Sequence, residues 1–442
     1  MRDAFFDDVA VPSYSIPFMQ CALPYGERHL EVPLPASAEV LEPARAAPLA
    51  DAVAAVGAAV RAPLDTQPLA DLAAGKRTAC IVISDGTRPA VGRWVLPCLE
   101  TTLRAAGLQS LEILIATGTH RAAQPHEIEA LVGTPQLRLP VRSHDAVRGP
   151  HEHVGHTAAG TPVWIDRGFL AADVRVVVGV VEPHLMAGYS GGAKSVCPGI
   201  ARRDTIRAVH RASVARERVG PGIVRGNPFR REVEEAAQRA GVDFSVQCCV
   251  SRRGQLTFVA AGALEASVAR ATQFAAEHAT VSLKRPFDVV VVSGGGAPLD
   301  RTLYQAAKGW ATGVAALRPG GDVILVAEMA DGVGQPGFAA LLDAGLDAYE
   351  ADDENQPVAA RTGQWMLQHI LQARGRGRLH VVCSLPEARL RRIGFVPHAS
   401  VDAALVAVCG TGTPRVLVLP HGPYCVPMRA NRLVTLEGVA VA

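Results

Sequence analysis

The chain has 442 residues, with 44 Lys and Arg against 42 Asp and Glu and a formal net charge of +2. That length exceeds one ordinary core and predicts two or three domains, each large enough to enclose a site. The near-neutral balance excludes a broad electrostatic grip on nucleic acid or anionic membrane and leaves a small molecule as the expected partner.

Taken in chain order, the acidic start MRDAFFDDVA lacks the basic flank and apolar run of a secretory signal, and no apolar stretch reaches transmembrane length. A cytoplasmic location is expected. The nine cysteines, scattered from Cys21 to Cys425, show neither a disulfide framework nor paired C-x-x-C spacing, so reduced, buried thiols are expected. The Ala-rich stretch at 45–60 reads as helix.

Seven short β-branched runs follow, each closed by a turn: CIVISDG (80–86), LEILIATG (111–118), VRVVVGVV (174–181), FDVVVVSGG (287–295), GDVILVAE (321–328), LHVVCSL (379–385) and RVLVLPHG (415–422). Near-continuous hydrophobicity marks strands covered on both faces. Helical periodicity lies between them at 92–107, 203–217, 228–241, 264–279 and 299–317. This alternation predicts an α/β fold with largely parallel sheets flanked by helices. The polar, Pro-containing joint VSLKRPFD places a boundary near 283, giving units 1–283 and 284–442, with the last residues candidates to pack back on the first unit. The active site is expected in the cleft between them.

The stretch GYSGGAKS (188–195) lies one residue from a phosphate-binding P-loop. Ala193 occupies the place of the second Gly, the loop begins well after the strand ending near Val181, and Pro198 and Gly199 oppose the helix that must follow the lysine. A Walker NTPase is therefore not expected. Gly188, Gly191 and Gly192 still permit a close backbone approach, and Lys194 near His184 has the setting of a nucleophilic amine. A solvated lysine in a glycine-rich turn accounts for the same residues.

Ligands of open parallel sheets collect outside the carboxyl ends of the strands. Those ends carry Asp85, Thr87 and Arg88, then Gly118, Thr119 and His120, then Glu182 and His184. His120 and His184 suit a general acid and base or two metal ligands. In the second half, Gly294 to Gly296 precede a predicted helix on which Tyr304, Gln305 and Lys308 share a face, an amide and an ammonium suited to a carboxylate or hydroxyl. HEHVGH (151–156) has metal-like composition but reads as a polar loop and is left outside the site.

Several motifs together resemble the lactate racemase family: SDGTRP (84–89), TGTHR (117–121), EPHLMAGYSGGAKSVCPGIA (182–201), the helix histidine at 210, LDRTLYQAAKG (299–309) and QWMLQHIL (364–371). They run in the family's order over nearly the whole chain. The resemblance implies a racemase or epimerase that inverts C2 of a 2-hydroxy acid by proton-coupled hydride transfer. Its cofactor would be a nickel-pincer nucleotide (nickel pyridinium-3-thioamide-5-thiocarboxylic acid mononucleotide) supplied by cofactor-synthesis enzymes.

By the same resemblance, Lys194 is the covalent cofactor anchor and His210 the protein ligand of nickel. His120 and His184 are the paired acid and base, and Asp85, Arg88, Gln305, Lys308 and Trp365 line the site or hold substrate, while Tyr304 is expected to shape the substrate pocket. Gly188, Gly191 and Gly192 would receive the cofactor's phosphate. Ala193 departs from the family pattern, which has Arg beside the cofactor lysine. Two other readings remain: a zinc hydrolase with His120, His184 and His210 around one metal, and a non-catalytic binding protein for the cofactor or a nucleotide.

Overall fold

The computed structural model describes residues 18–133, 138–211, 218–345 and 363–429. The β-branched runs form two six-stranded sheets. The first has the order Leu256–Gly262, Phe244–Val250, Val174–Val180, Thr78–Ser84, Ser110–Ala116, Val141–Ser143, and only the outermost Leu256–Gly262 runs antiparallel to its neighbour. The second is parallel throughout, in the order Val396–Pro397, Gly377–Val382, Leu317–Val326, Phe287–Ser293, Val416–Leu419, Glu39–Val40. The expected α/β class with two largely parallel sheets is present.

Chain order reverses in each sheet. In the first, Thr78–Ser84 is followed by Ser110–Ala116 on one side and later by Val174–Val180 on the other. In the second, Phe287–Ser293 is followed by Leu317–Val326 on one side and later by Val416–Leu419 on the other. Such reversals open a crevice at the carboxyl ends of the strands that flank them. The first crevice opens on a cleft, and the second half reaches that cleft through Tyr304, Gln305, Lys308, Gln335 and Trp365.

Helices cover the sheets where the periodicity places them. Gly92–Ala105, Pro228–Ala240 and Leu264–Ala279 match the reading closely, and the Asn227 side chain caps the second by accepting from the Arg230 N–H at 3.1 Å. The Ala-rich stretch is helical over Ala52–Arg61. The helix read at 203–217 is described over Arg203–Arg211, and its remainder lies outside the described residues.

The helix read at 299–317 is broken into Leu303–Ala306 and Lys308–Ala316. Its first residues are held elsewhere: the buried Asp300 carboxylate accepts from the N–H groups of Gly26 (2.8 Å) and Glu328 (3.1 Å). Thr302 then caps the short helix through the Gln305 N–H. Tertiary hydrogen bonds override the helical pattern here. HEHVGH is a strand, His151–His156, paired antiparallel with Pro162–Asp166, rather than a loop.

The two sheets are not cleanly divided near 283. Phe18–Tyr25 and Arg28–Pro35 form a hairpin packed on the second sheet, and Glu39–Val40 completes that sheet's edge. Ser293 Oγ donates to the Pro24 carbonyl at 2.9 Å. Beyond the second sheet, Val426–Arg429 pairs with Thr280–Leu283. One continuous apolar core joins the halves, including Val177, Phe229, Leu303, Trp310 and Leu325. Each fully buried aliphatic or Phe side chain of this kind contributes roughly 1.5–3 kcal/mol.

Candidate active site

Three strand ends of the first sheet build one wall of the cleft. After Thr78–Ser84 the chain turns at Asp85, whose Oδ1 accepts from the Thr87 N–H (3.2 Å) and hydroxyl (2.6 Å). Its Oδ2 lies 2.7 Å from His120 Nδ1, on the loop after Ser110–Ala116. Burial raises the Asp85 carboxyl, but the His120 and Thr87 hydrogen bonds and the nearby Arg88 charge outweigh it and hold the pKa below the usual carboxylate value. An ionised Asp85 fixes the His120 proton on Nδ1 and leaves a lone pair at Nε2. Arg88 Nη1 lies 3.3 Å from Glu182 Oε1.

His184 is held in the opposite sense. It lies in a two-residue hairpin, Pro183–His184 with Gly188–Tyr189, and its Nδ1 accepts from the N–H groups of Met186 and Ala187, both at 3.1 Å. Those contacts place the ring proton of neutral His184 on Nε2. Burial, then the charges of Lys194, Arg88 and Lys308, lower its pKa well below the ordinary imidazole value. The two histidines therefore differ in proton assignment: a lone pair at Nε2 of His120, and N–H at Nε2 of His184.

Lys194 follows the glycine loop on the short helix Ala193–Val196, with Nζ 5.4 Å from the centre of the Phe229 ring. Burial, reinforced by Arg88, lowers its pKa to about 7, and the same two causes lower Lys308 to about 7. Among the described residues no carboxylate forms an ion pair with either lysine. His210, on Arg203–Arg211, donates from Nδ1 to the Ile206 carbonyl at 2.6 Å, so Nε2 carries the lone pair. Its ring packs on Trp365 at 4.4 Å between centroids, and Trp365 Nε1 donates to the Tyr304 hydroxyl at 2.8 Å. Burial lowers the His210 pKa to about 4 and keeps the ring neutral, as a metal ligand must be.

Asp85, Arg88, His120, His184, Gly191, Lys194, His210, Tyr304, Gln305, Lys308 and Trp365 all line this cleft. Gly188 and Gly192 do not. A Cβ on Gly188 would lie 2.4 Å from the Ile223 carbonyl oxygen, and one on Gly192 would lie 2.2 Å from Val268 Cγ2, so both positions need glycine for packing. Four of the loop's amides are also committed: the N–H groups of Ser190, Gly192, Lys194 and Ser195 donate to Glu182, Gln247, Gly191 and Gly192. Those four amides are not open to a phosphate, which argues against the P-loop reading.

Among the described residues no group of three His, Cys, Asp or Glu side chains is placed to hold a metal ion. His120, His184 and His210 thus do not form the three-ligand zinc centre considered above. A metal beside His210 needs its other donors from a bound group. The unpaired, deprotonation-prone amine of Lys194 in the same cleft suits covalent attachment of such a group. The residues present fit a lysine-anchored, metal-bearing cofactor.

Sequence reasoning missed several supports. Gln247, fully buried in a strand, accepts the Gly192 N–H at 2.8 Å and anchors the lysine loop. His144 donates from Nε2 to the Ala201 carbonyl (3.0 Å), while its own carbonyl accepts from Thr117 Oγ1 (2.6 Å), tying the loops that carry Lys194 and His120. Gln335, in a Gly-rich connection without pattern, also lines the cleft.

Fold and cleft define a two-sheet α/β enzyme architecture with two histidines and a buried lysine in one cleft between its halves. Residues 25–222 match the lactate racemase N-terminal domain and residues 257–422 the lactate racemase C-terminal domain, together most of the chain. The chain belongs to the lactate racemase family, whose members are isomerases that use a lysine-tethered nickel-pincer nucleotide.

It is 36% identical over 288 residues to a lactate racemase of Thermoanaerobacterium thermosaccharolyticum, covering 63% of this chain and 66% of that protein. It is 31% identical over 283 residues to a lactate racemase of Lactiplantibacillus plantarum, covering 62% and 66%. The aligned stretches thus span just under two thirds of both relatives. The structure of the lactate racemase apoprotein from T. thermosaccharolyticum superposes with a TM-score of 0.86 at 28% identity, covering 93% of this chain and 100% of that one.

Proposed function

We propose that this protein is a racemase or epimerase of a small 2-hydroxy acid that works with a nickel-pincer nucleotide joined to Lys194. The observation that carries the reading is the meeting of Lys194, His210, His120 and His184 in one cleft, an anchor, a metal ligand and two proton-handling groups. Arg88 and Lys308 bring positive charge to the same space, matched to a carboxylate. Among the described residues the cleft holds no three-ligand cluster for a metal hydrolase, and a carrier has no use for paired histidines.

Direct removal of the C2 proton from a hydroxy acid is opposed by the adjacent carboxylate, which resists further negative charge. The bound nucleotide would supply an electron-poor carbon able to take the C2 hydrogen with its electron pair and return it. The chain's residues handle everything else. Arg88 and Lys308 fix the carboxylate. His120, held by Asp85, receives the hydroxyl proton at Nε2. His184, neutral with Nε2–H, polarises the 2-oxygen by a hydrogen bond; it can give up a full proton on its own side only after a further proton has made it an imidazolium. Receiving a proton there requires its Nδ1 to release the Met186 and Ala187 amides, so the two directions of inversion make different demands on the protein. His210 would supply the protein ligand, its ring packed at a tilt against Trp365.

The free thiols of all nine cysteines and the lack, among the described residues, of a helix long and apolar enough to cross a membrane accord with a reducing cytoplasm. Enzymes that synthesise the cofactor would be its partners there. The test is mass spectrometry of protein made together with those enzymes, joined to a chiral assay across a 2-hydroxy acid panel in deuterium oxide. The expected result is an adduct on Lys194, absent in Lys194→Ala, with inversion that retains the C2 hydrogen. Activity in unmodified protein, or deuterium entering at C2, overturns the reading.

A further inference from the structure

Two amides from the second half face the cleft with buried carbonyl oxygens that have no hydrogen-bond partner: Oε1 of Gln305 and Oε1 of Gln335. A buried acceptor without a donor is costly, and a ligand that supplies the donor recovers that cost. Gln335 is not on a loose strand of chain. The preceding residues are fastened to the start of the Gln305 helix, with the N–H groups of Leu303 and Tyr304 donating to the carbonyls of Gly332 and Val333, both at 3.0 Å. A Cβ on Gly334 would lie 2.9 Å from Tyr304 Cβ, so the connection is packed against the site wall. The two amides are thus set by one local structure.

A 2-hydroxy acid whose third carbon bears only hydrogen or alkyl groups brings a single O–H donor. In the reading above that proton goes to a histidine, and the carboxylate brings acceptors alone. Such a molecule leaves both amide oxygens unmet. A hydroxyl on the third carbon adds a donor for one of them and a further hydroxyl a donor for the other, and because a hydroxyl also accepts, it satisfies either orientation of an amide. Resting on the racemase reading, we propose that the substrate is a 2,3-dihydroxy acid or a longer polyhydroxy acid, with Gln335 the specificity residue that meets the hydroxyl beyond C2. The cleft wall made by Gln305, Gln335 and Tyr304 serves recognition, while Arg88, Lys308 and the histidines serve the reacting end.

The test compares 2-hydroxybutanoate with 2,3-dihydroxybutanoate, which differ by one hydroxyl, on enzyme carrying the Lys194 adduct. The dihydroxy acid is expected to have the higher kcat/KM by about 10-fold or more, the effect of one hydrogen bond to an otherwise unmet group. Gln335→Leu should collapse that ratio toward unity, and Gln335→Glu, which keeps acceptor oxygens, should retain it. Calorimetry with 2-hydroxy-2-methylbutanoate and 2,3-dihydroxy-2-methylbutanoate, which have no C2 hydrogen to transfer, should show the same preference in Kd. Equal ratios, a preference untouched by Gln335→Leu, or a loss of Lys194 adduct in that variant would overturn the proposal, the last by giving Gln335 to the cofactor. If neither acid is inverted yet the dihydroxy analogue still binds more tightly, the substrate class stands and the racemase reading falls.

Discussion

Asp85 Oδ2 lies 2.7 Å from His120 Nδ1, joining residues from the ends of two adjacent strands into one hydrogen-bonded pair. The carboxylate sets both the ring's orientation and which nitrogen is left to receive a proton. Asp85→Asn is expected to lower kcat by about 100-fold or more, within the range of a general base losing its proper form, while KM changes little. Steady-state inversion assays check this, with intact-mass measurement showing that the Lys194 adduct still forms. A drop confined to KM would make Asp85 a substrate contact instead.

Lys194 is one of only four lysines, with Lys76, Lys284 and Lys308, which makes its chemistry easy to follow by peptide mapping. Burial first, then Arg88, lowers its pKa to about 7, so the neutral amine gains population as pH rises through 7. In cofactor-free protein, labelling by an amine-selective reagent should therefore rise with a midpoint near 7 at this peptide. A midpoint near the ordinary lysine value of about 10.4 would show the amine to be solvated.

Lys308 carries the opposite consequence for substrate. Its pKa is also lowered to about 7, by burial and then Arg88, so it is a cation below that pH and neutral above it. Carboxylate capture by the free enzyme should weaken as pH rises through about 7, seen as a falling limb in kcat/KM. Lys308→Arg keeps the charge and should remove that limb. Its persistence in the variant would assign the limb to another group.

Gly192 has φ +53° and a Cβ there would lie 2.2 Å from Val268 Cγ2. Gly192→Ala is expected to destabilise the protein by about 1–3 kcal/mol through overpacking and backbone strain. Thermal unfolding should show the loss equally with and without the cofactor. A loss seen only in loaded protein would return Gly192 to the binding surface.

The parts of the fold that were legible in the sequence are those whose signal is local. Buried parallel strands such as Val174–Val180 are nearly unbroken valine, and Leu264–Ala279 has the helical period over its full length. Polar residues directly after such strands then pointed to Asp85, His120 and His184. What stayed hidden depends on distant partners. Phe18–Tyr25 and Arg28–Pro35 carry Pro24, Pro33 and Pro35, which argue against a strand, yet a two-stranded hairpin tolerates them. Gln247 reads as a polar interruption until the Gly192 amide is beside it. Gly188 and Gly192 looked like ligand-contact glycines because sequence cannot tell a close approach by a ligand from one by Ile223 or Val268.

The edge strand Glu39–Val40 has a further consequence, in time rather than space. Its neighbour Val416–Leu419 is made far later, and the ion pair Arg415–Glu39 that seals this edge links residues 376 positions apart. At roughly 5–20 residues per second of synthesis, the early hairpin and strand wait on the order of 20–75 s for their docking surface. The second sheet is thus closed by chain made before it. A nascent chain arrested after residue 283 should present that apolar hairpin to chaperones, while the first sheet, built wholly from 78–262, has all its strands.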